Sequence, residues 1–192
     1  MRCQHYVFLT VFAAATFAGL SAVVAIVAPP PLLMWNASAS APIGLYRIHP
    51  DSDPPVGALV AATPPERLSR WLSARGYLPE GVPLLKHVAA KAGQRVCRIN
   101  AVVSVDTRPV ASARASDGQR RPLPVWQGCR VLRTGELLLL NPAVPDSMDS
   151  RYFGPLPATA VIGQATPLYL RAPSAPPAFP EAKEIGHADE YL

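Results

Sequence analysis

The sequence predicts a mostly β protein, built as antiparallel sheets or a partial barrel, with one N-terminal transmembrane helix and a short inserted helix. Charged residues make up 16% of the 192-residue chain and prolines number 23. That composition favours short strands joined by many turns over a helical bundle. The apolar runs do not alternate with helical segments, which favours antiparallel pairing of the strands. The length suits a single domain of about 100–200 residues.

The first element is an apolar stretch without charge, from Tyr6 to Ala28. At about 1.5 Å per residue, a helix of that length crosses a hydrocarbon core of about 30 Å. Arg2 precedes the stretch and the next charge is Arg47, so the positive-inside rule predicts a cytoplasmic N-terminus and an exported remainder. A cleaved secretory signal is the alternative. We favour a retained anchor, because signal cores run only about 7–15 residues and Pro29–Pro31 would obstruct cleavage after Ala28.

The composition divides the chain into four parts: an anchor at residues 1–28, a Pro-rich neck at 29–36, a folded domain at 37–171 and a flexible tail at 172–192. The tail opens with a Pro-rich run and ends acidic, which is typical of segments that do not fold. We therefore expect a single-pass protein of the inner, cytoplasmic membrane, with its domain in the periplasm. Membrane lipid would contact the N-terminal helix.

Within the domain, the sequence predicts one helix and a series of short strands. The helix begins at Pro64-Pro65-Glu66 and ends at Gly76, since proline suits a first turn and glycine a C-terminus. Thr134-Gly135 separates two apolar runs by two residues, which indicates a β-hairpin. The predicted strands are Leu84–Ala89, Arg95–Ile99, Val102–Val105, Val131–Arg133, Glu136–Leu140 and Ala160–Tyr169.

The charge and the cysteines of the chain limit which partners and cofactors we expect. The net charge of +5 comes from scattered arginines, with no basic block or stripe, so we expect no nucleic-acid partner. Cys97 and Cys129 would both lie in an oxidising compartment and are predicted to form one disulfide. Closing that loop stabilises by about 3–4 kcal/mol in the chain-entropy model. Two cysteines without a His or Cys cluster do not suggest a metal site, and we expect no cofactor.

Lys86 is the candidate general base. The chain has three lysines, Lys86, Lys91 and Lys183, and arginine does not lose its proton near neutral pH. If Leu84–Val88 is a strand, the side chains of Leu84, Lys86 and Val88 lie on the same face. Loss of hydration lowers the pKa of a lysine, and a shift from about 10.4 to near 8 costs about 3 kcal/mol. The alternative is a lysine whose stem covers apolar surface while its amine stays in water.

Ser40 is the candidate nucleophile, because a serine hydroxyl becomes reactive when a neutral amine lies beside it. Pro42, two residues later, restricts the local backbone. Ser38 points to the same side in an extended segment, so its hydroxyl and the Ser40 N–H can bind an oxyanion. A plain linker after a membrane span is one alternative. A Ser–His dyad with His49 or His87 is another, although neither has a recognisable catalytic setting.

The segment Asp146–Gly154 is unusually polar for a stretch that follows a run of leucines. Asp149 and Arg151 can pair within it. Ser147 and Asp149 share a face and can orient Lys86. The alternative is a well-hydrogen-bonded loop, which this composition also produces.

Three segments in this order resemble conserved blocks of a known family. They read Asn-Ala-Ser-Ala-Ser-Ala-Pro-Ile-Gly-Leu-Tyr (Asn36–Tyr46), Leu-Lys-His-Val-Ala-Ala-Lys-Ala-Gly-Gln-Arg-Val-Cys (Leu85–Cys97) and Ser-Met-Asp-Ser-Arg-Tyr-Phe-Gly (Ser147–Gly154). The family is the signal peptidase I superfamily, and the likeness is strongest to its conjugative-transfer branch, the TraF-type peptidases. Ala41 replaces the methionine usual in bacterial signal peptidases, and Gln94 stands where the family's turn has aspartate.

The resemblance implies a largely β fold and a role for each matched residue. It implies Ser40 as nucleophile, Lys86 as general base, Ser38 with Ser40 at the oxyanion, Ser147 and Asp149 as support for the lysine, and Arg151 as partner of the acid. The implied activity is that of a serine endopeptidase with a Ser–Lys dyad.

The substrate implied by the branch is a peptide precursor, the pilin subunit of a conjugative transfer system. Some branch members join the pilin's ends into a ring instead of hydrolysing the acyl-enzyme. The resemblance leaves the product, the scissile bond and the oligomeric state open. Two alternatives also stay open: a non-catalytic membrane-anchored component of a conjugation or secretion apparatus, and a general signal peptidase I.

Overall fold

The computed structural model describes residues 2–27 and 32–171. Its first element is helix α1 (Arg2–Val27), in which Gln4–Ile26 has a mean hydropathy of 2.2. By length and composition this helix can cross a membrane, as an anchor or a signal sequence would. The tail predicted at 172–192 lies outside the described residues.

The domain is mostly antiparallel β structure in two sheets, which confirms the predicted fold class. The larger sheet has seven strands and forms a half-barrel. Their spatial order is β1 (Leu33–Asn36), β2 (Gly44–His49), β11 (Val161–Leu170), β3 (Leu59–Ala62), β4 (Leu84–Ala90), β9 (Glu136–Leu140) and β10 (Leu156–Pro157). The smaller sheet orders β7 (Arg108–Ser112), β6 (Val102–Val105), β5 (Arg95–Ile99) and β8 (Gly128–Val131).

Three helical segments complete the domain. The predicted helix is confirmed as α2 (Glu66–Ala74), with Pro65 before it and Gly76 at φ +71° after it. Glycine tolerates that left-handed conformation, which terminates the helix. A short helix α3 (Ser150–Phe153) and a 3₁₀ turn (Ala158–Ala160) lie between β9 and β11.

The predicted hairpin at Thr134-Gly135 is wrong. Strand β8 ends at Val131 and pairs with β5 in the smaller sheet, whereas β9 pairs with β4 and β10 in the larger one. The reason is the burial of β9, whose residues 137–140 are buried on both faces. A strand buried on both faces belongs inside a sheet. The Thr134-Gly135 turn therefore passes the chain from one sheet to the other.

The neck is shorter than predicted at its C-terminal end. Residues Leu33–Asn36, assigned to the neck, form β1 and pair along their whole length with β2. The sheet therefore begins at Leu33, before the predicted start of the domain at residue 37. This strand leads directly into the loop that carries Ser40.

Strand β9 joins the two main hydrophobic clusters of the core. Leu137 and Leu139 pack with Val60 and Val88, while Leu138 and Leu140 pack in the cluster that reaches the smaller sheet. The alternation follows from the two-residue period of a strand. Each buried leucine contributes about 1.5–3 kcal/mol by leaving water. The residue that follows β9, Asn141, is thus attached to a strand that is packed on both faces.

The predicted disulfide is present. Cys97 on β5 and Cys129 on β8 face each other in the strand register and are bonded, 32 residues apart in sequence. The bond ties β8, the edge strand of the smaller sheet, to its neighbour.

Replacing both Cys97 and Cys129 by alanine should lower the free energy of unfolding by about 3–4 kcal/mol, because the unfolded chain regains the entropy of an open loop. The ladder hydrogen bonds between β5 and β8 do not involve sulfur, so the folded structure should persist. Urea unfolding of the two proteins, followed by circular dichroism, measures the difference. An unchanged unfolding midpoint would contradict the expectation.

Candidate active site

The loop that carries Ser40 is organised by one buried amide. Asn36, the last residue of β1, donates from Nδ2 to the carbonyls of Ser38, Ala41 and Pro42, each at 3.0 Å. Its Oδ1 accepts from the Ser38 N–H at 3.1 Å and from the Ser38 hydroxyl at 3.0 Å. A side chain that satisfies so many backbone groups fixes the loop in one shape.

The far end of the loop is held by β2. Tyr46 is buried and its hydroxyl donates to the Pro42 carbonyl at 2.7 Å; burial raises the pKa of this phenol. A Cβ on Gly44 would lie 2.1 Å from the Tyr169 carbonyl oxygen on β11, so a side chain cannot fit there. The loop is thus pinned at both ends to the seven-stranded sheet.

The two serine hydroxyls of the loop are in contact. Ser38 Oγ and Ser40 Oγ lie 2.9 Å apart. Because the Ser38 hydroxyl donates to Asn36 Oδ1, Ser40 is the donor in this contact. Ser40 is half-buried and Ser38 is exposed. Both border a cavity of about 480 Å³ that Lys86 also lines.

Lys86 is buried on β4, with 1% of its surface exposed. Its Nζ donates to the Ser147 hydroxyl at 2.9 Å. Burial lowers the pKa of this amine from 10.5 to about 8. The charge of Asp149 opposes that shift and the charge of Arg151 adds to it. A lysine with such a pKa is neutral in a useful fraction of molecules near physiological pH, so it can accept a proton.

Asp149 and Arg151 form a buried ion pair. Arg151 donates from Nε to Asp149 Oδ1 at 2.8 Å and from Nη2 to Oδ2 at 2.9 Å. The side chains are 0% and 1% exposed. Asp149 also caps α3 by accepting from the Arg151 N–H at 3.1 Å. A buried pair is tolerated when its geometry is two-pronged and its remaining groups are hydrogen-bonded, as here.

The predicted site residues therefore fall into three contacting pairs: Ser38 with Ser40, Lys86 with Ser147, and Asp149 with Arg151. Within residues 32–171, no hydrogen bond joins the Ser40 hydroxyl to Lys86, although the two residues border one cavity. Asp149 acts on the lysine through its charge and not through a direct hydrogen bond.

The two histidines considered for a dyad do not contact the Ser40 hydroxyl, although His87 and Ser40 both line a second cavity of about 650 Å³. His49 is exposed on β2. His87 is half-buried on β4, and its Nδ1 lies 3.0 Å from Asn141 Oδ1. Their hydrogen bonds do not reach the Ser40 hydroxyl in the described part of the chain.

Sequence reasoning missed Asn141. This residue follows β9, is buried, and donates from Nδ2 to the carbonyls of Ser40 and Leu85, the latter at 3.0 Å. The available signal was a single amide between the run of leucines and Pro142. A polar residue that ends a fully buried strand needs partners, but the sequence does not say which.

Comparison with known proteins identifies the class of protein to which this scaffold belongs. The family model described as "Signal peptidase, peptidase S26" matches residues 3–170. The match indicates a serine peptidase. The chain belongs to the signal peptidase family S26.

Several relatives carry names from conjugal transfer. The chain is 40% identical over 148 residues to a probable conjugal transfer protein TraF of Sinorhizobium fredii, covering 72% of this chain and 77% of that one. It is 35% identical over 150 residues to a conjugal transfer protein TraF of Agrobacterium fabrum, covering 72% and 82%. A plasmid transfer protein TraF of Escherichia coli is 32% identical over 145 residues, covering 69% and 80%.

Among solved structures, a signal peptidase I of Enterococcus faecalis aligns with 59% of this chain and 97% of its own. The TM-score is 0.36 and the sequence identity 16%.

Replacing Arg151 by methionine should lower the free energy of unfolding by about 3–5 kcal/mol, because it leaves the Asp149 carboxylate buried and unpaired. The matched control is Arg70→Met on α2, where the Arg70–Glu66 pair is exposed and contributes at most about 1 kcal/mol. Chemical unfolding of both variants gives the comparison. Equal effects of the two substitutions would contradict the importance assigned to the buried pair.

Proposed function

We propose that this chain is a membrane-anchored serine endopeptidase whose Ser40–Lys86 dyad processes an exported or membrane-inserted precursor, the pilin subunit of a conjugative transfer system. The observation that carries the proposal is the Lys86 amine. It is almost fully buried, its pKa is lowered to about 8, and it borders the same cavity as Ser40. A neutral amine beside a serine hydroxyl is an established means of activating that hydroxyl.

In the first step, Ser40 Oγ attacks the peptide carbonyl while Lys86 Nζ takes the hydroxyl proton. A neutral amine has N–H groups to donate and one lone pair to accept with. It can therefore keep its hydrogen bond to Ser147 at 2.9 Å and direct the lone pair at Ser40. Ser147 thereby orients the base.

The serine contact supports the oxyanion role of Ser38. Before substrate binds, the hydroxyls of Ser38 and Ser40 are paired at 2.9 Å. Catalytic hydrogen bonds commonly tighten only once substrate is bound. When the Ser40 hydroxyl turns towards Lys86, Ser38 loses the hydrogen bond that it accepts from Ser40. The Ser38 hydroxyl can then turn from Asn36 Oδ1 and donate to the developing oxyanion together with the Ser40 N–H.

In the remaining steps the Ser40 proton leaves with the amine product, and a proton from water replaces it. Protonated Lys86 gives its proton to the leaving amine, and the peptide bond breaks to leave an acyl-enzyme on Ser40. Water then attacks the ester while Lys86 takes its proton. Lys86 finally returns a proton to Ser40 Oγ, which regenerates the enzyme.

The position relative to the membrane supports a membrane-presented substrate. The 14 residues from Val27 to Ser40 reach at most about 50 Å when extended. Exposed Trp35 stacks on Tyr169 with ring centroids 6.4 Å apart, and aromatic side chains are enriched at membrane interfaces. We infer that α1 is a retained anchor in the inner membrane, with the domain in the periplasm.

The choice of a conjugation substrate is supported by the relatives, whose names refer to conjugal or plasmid transfer. A general signal peptidase would act on ordinary exported preproteins instead. A cleavage assay that offers both propilin and such a preprotein distinguishes the two substrates.

Replacing Ser40 by alanine, or Lys86 by methionine or arginine, should reduce cleavage of propilin by about 10⁴-fold or more, because each variant lacks the nucleophile or a base that can be neutral. Mass spectrometry of pilin from cells that carry each variant should detect unprocessed precursor.

In the purified wild type, kcat/KM should rise with pH and level off above about 8, since only neutral Lys86 can accept the proton.

Two control variants separate loss of chemistry from general damage. Ser69→Ala on α2 and Lys91→Met, whose amine pairs with Asp53, remove the same groups away from the cavity and should process propilin normally. If the Ser40 and Lys86 variants also process propilin normally, the protein is a non-catalytic component of the transfer apparatus.

A further inference from the structure

One side chain joins the two proposed reactive residues. Asn141 is 3% exposed and follows β9. Its Nδ2 donates to the Ser40 carbonyl and, at 3.0 Å, to the Leu85 carbonyl. Its Oδ1 accepts from the His87 N–H at 3.3 Å and lies 3.0 Å from His87 Nδ1.

The partners determine the orientation of this amide. Carbonyl oxygens only accept, so the atom that faces Ser40 and Leu85 must be the nitrogen. The backbone N–H of His87 only donates, so the atom that faces it must be Oδ1. Since Oδ1 is an acceptor, the Nδ1 of His87 must carry a hydrogen for its contact to be a hydrogen bond.

Leu85 and His87 are the residues on either side of Lys86. The Asn141 amide therefore hydrogen-bonds to the β4 backbone on both sides of Lys86. The nitrogen that donates to the Leu85 carbonyl also donates to the Ser40 carbonyl. These contacts fix the position of the Ser40 backbone relative to that of Lys86.

The backbone of Asn141 is itself held by the buried ion pair. Its N–H donates to Asp149 Oδ2 at 3.0 Å, and its carbonyl accepts from Arg151 Nη2 at 2.8 Å. The pair thus supports the nucleophile loop through Asn141, in addition to its charges near Lys86.

We propose that Asn141 is a positioning residue that sets the distance between the Ser40 hydroxyl and the Lys86 amine; this rests on the dyad proposed above. Its contacts to the peptides of Ser40, Leu85 and His87 are to backbone groups, so it acts by placing the reacting side chains. A misplacement of about 1 Å in such a pair can reduce the rate about 10²-fold. Asn141 borders the second cavity, of about 650 Å³, that Ser40 and His87 also line, but it is only 3% exposed and its amide is hydrogen-bonded within the protein. The effect should therefore fall on kcat.

Two variants of similar size test the role. Asn141→Leu removes every side-chain hydrogen bond. Asn141→Asp keeps an acceptor for His87 but cannot donate to the Ser40 and Leu85 carbonyls while ionised. Both should lower kcat for propilin by about 10²-fold and leave KM within about threefold. A loss of folded protein alone would lower the concentration of active sites and leave the kcat of each folded molecule unchanged.

The matched control is Gln94→Leu. The Gln94 amide also accepts from a backbone N–H, that of Lys91 at 2.9 Å, and donates to an oxygen, Asp106 Oδ2 at 2.9 Å. It lies beside the smaller sheet and should leave kcat unchanged. Active-site titration and thermal unfolding of each variant correct kcat for the folded fraction.

A measurement on the unmodified protein covers the case in which the variants do not fold. Nitrogen-15 NMR of His87 should show a hydrogen on Nδ1, the ring atom that faces Asn141 Oδ1. A bare Nδ1 would overturn the assigned orientation of the Asn141 amide, and with it the donated hydrogen bonds to Ser40 and Leu85 on which the proposal rests. Folded Asn141 variants with wild-type kcat would overturn it as well. If wild-type protein does not cleave propilin while Ser40→Ala behaves identically, the proposed function itself fails.

Discussion

The burial of one amine is the constraint on which the candidate site depends. Lys86 lies on a central strand with 1% of its surface exposed, and its pKa falls from 10.5 to about 8. Holding its charged form there costs about 3 kcal/mol relative to water, at 1.36 kcal/mol per pKa unit. Below a pH of about 8 this cost lowers the stability of the folded protein in full. As the pH rises from about 8 towards 10.5, Lys86 is neutral in the folded protein and the cost disappears.

The neighbouring ion pair stabilises the site without adding net charge. Asp149 alone would favour the charged lysine, and Arg151 alone would disfavour it. As a two-pronged pair their opposing effects largely offset each other, so burial remains the main cause of the lowered pKa. Their remaining hydrogen bonds hold the backbone of Asn141, which connects the pair to the nucleophile loop.

The sequence predicted what depends on local periodicity. The alternation around Lys86 placed its side chain on a buried face, and Pro65 and Gly76 bounded α2. The hairpin at Thr134-Gly135 was wrong because the turn signal does not specify the partners of β9, which pairs with β4 and β10 in the larger sheet. The role of Asn141 escaped prediction because its partners Ser40, Leu85 and His87 are distant in sequence. The partners of Asn36 lie within six residues of it, but the sequence does not give the loop shape that brings them together.

The Lys86 pKa is the central quantity, and it can be measured directly. The chain contains only three lysines, so carbon-13 NMR of protein labelled at the lysine side chain gives few signals, and Lys86→Met identifies the one from residue 86. We predict that this signal titrates with a midpoint near 8. A midpoint at the ordinary value of 10.5 would contradict the account, because the amine would then be charged throughout the physiological range.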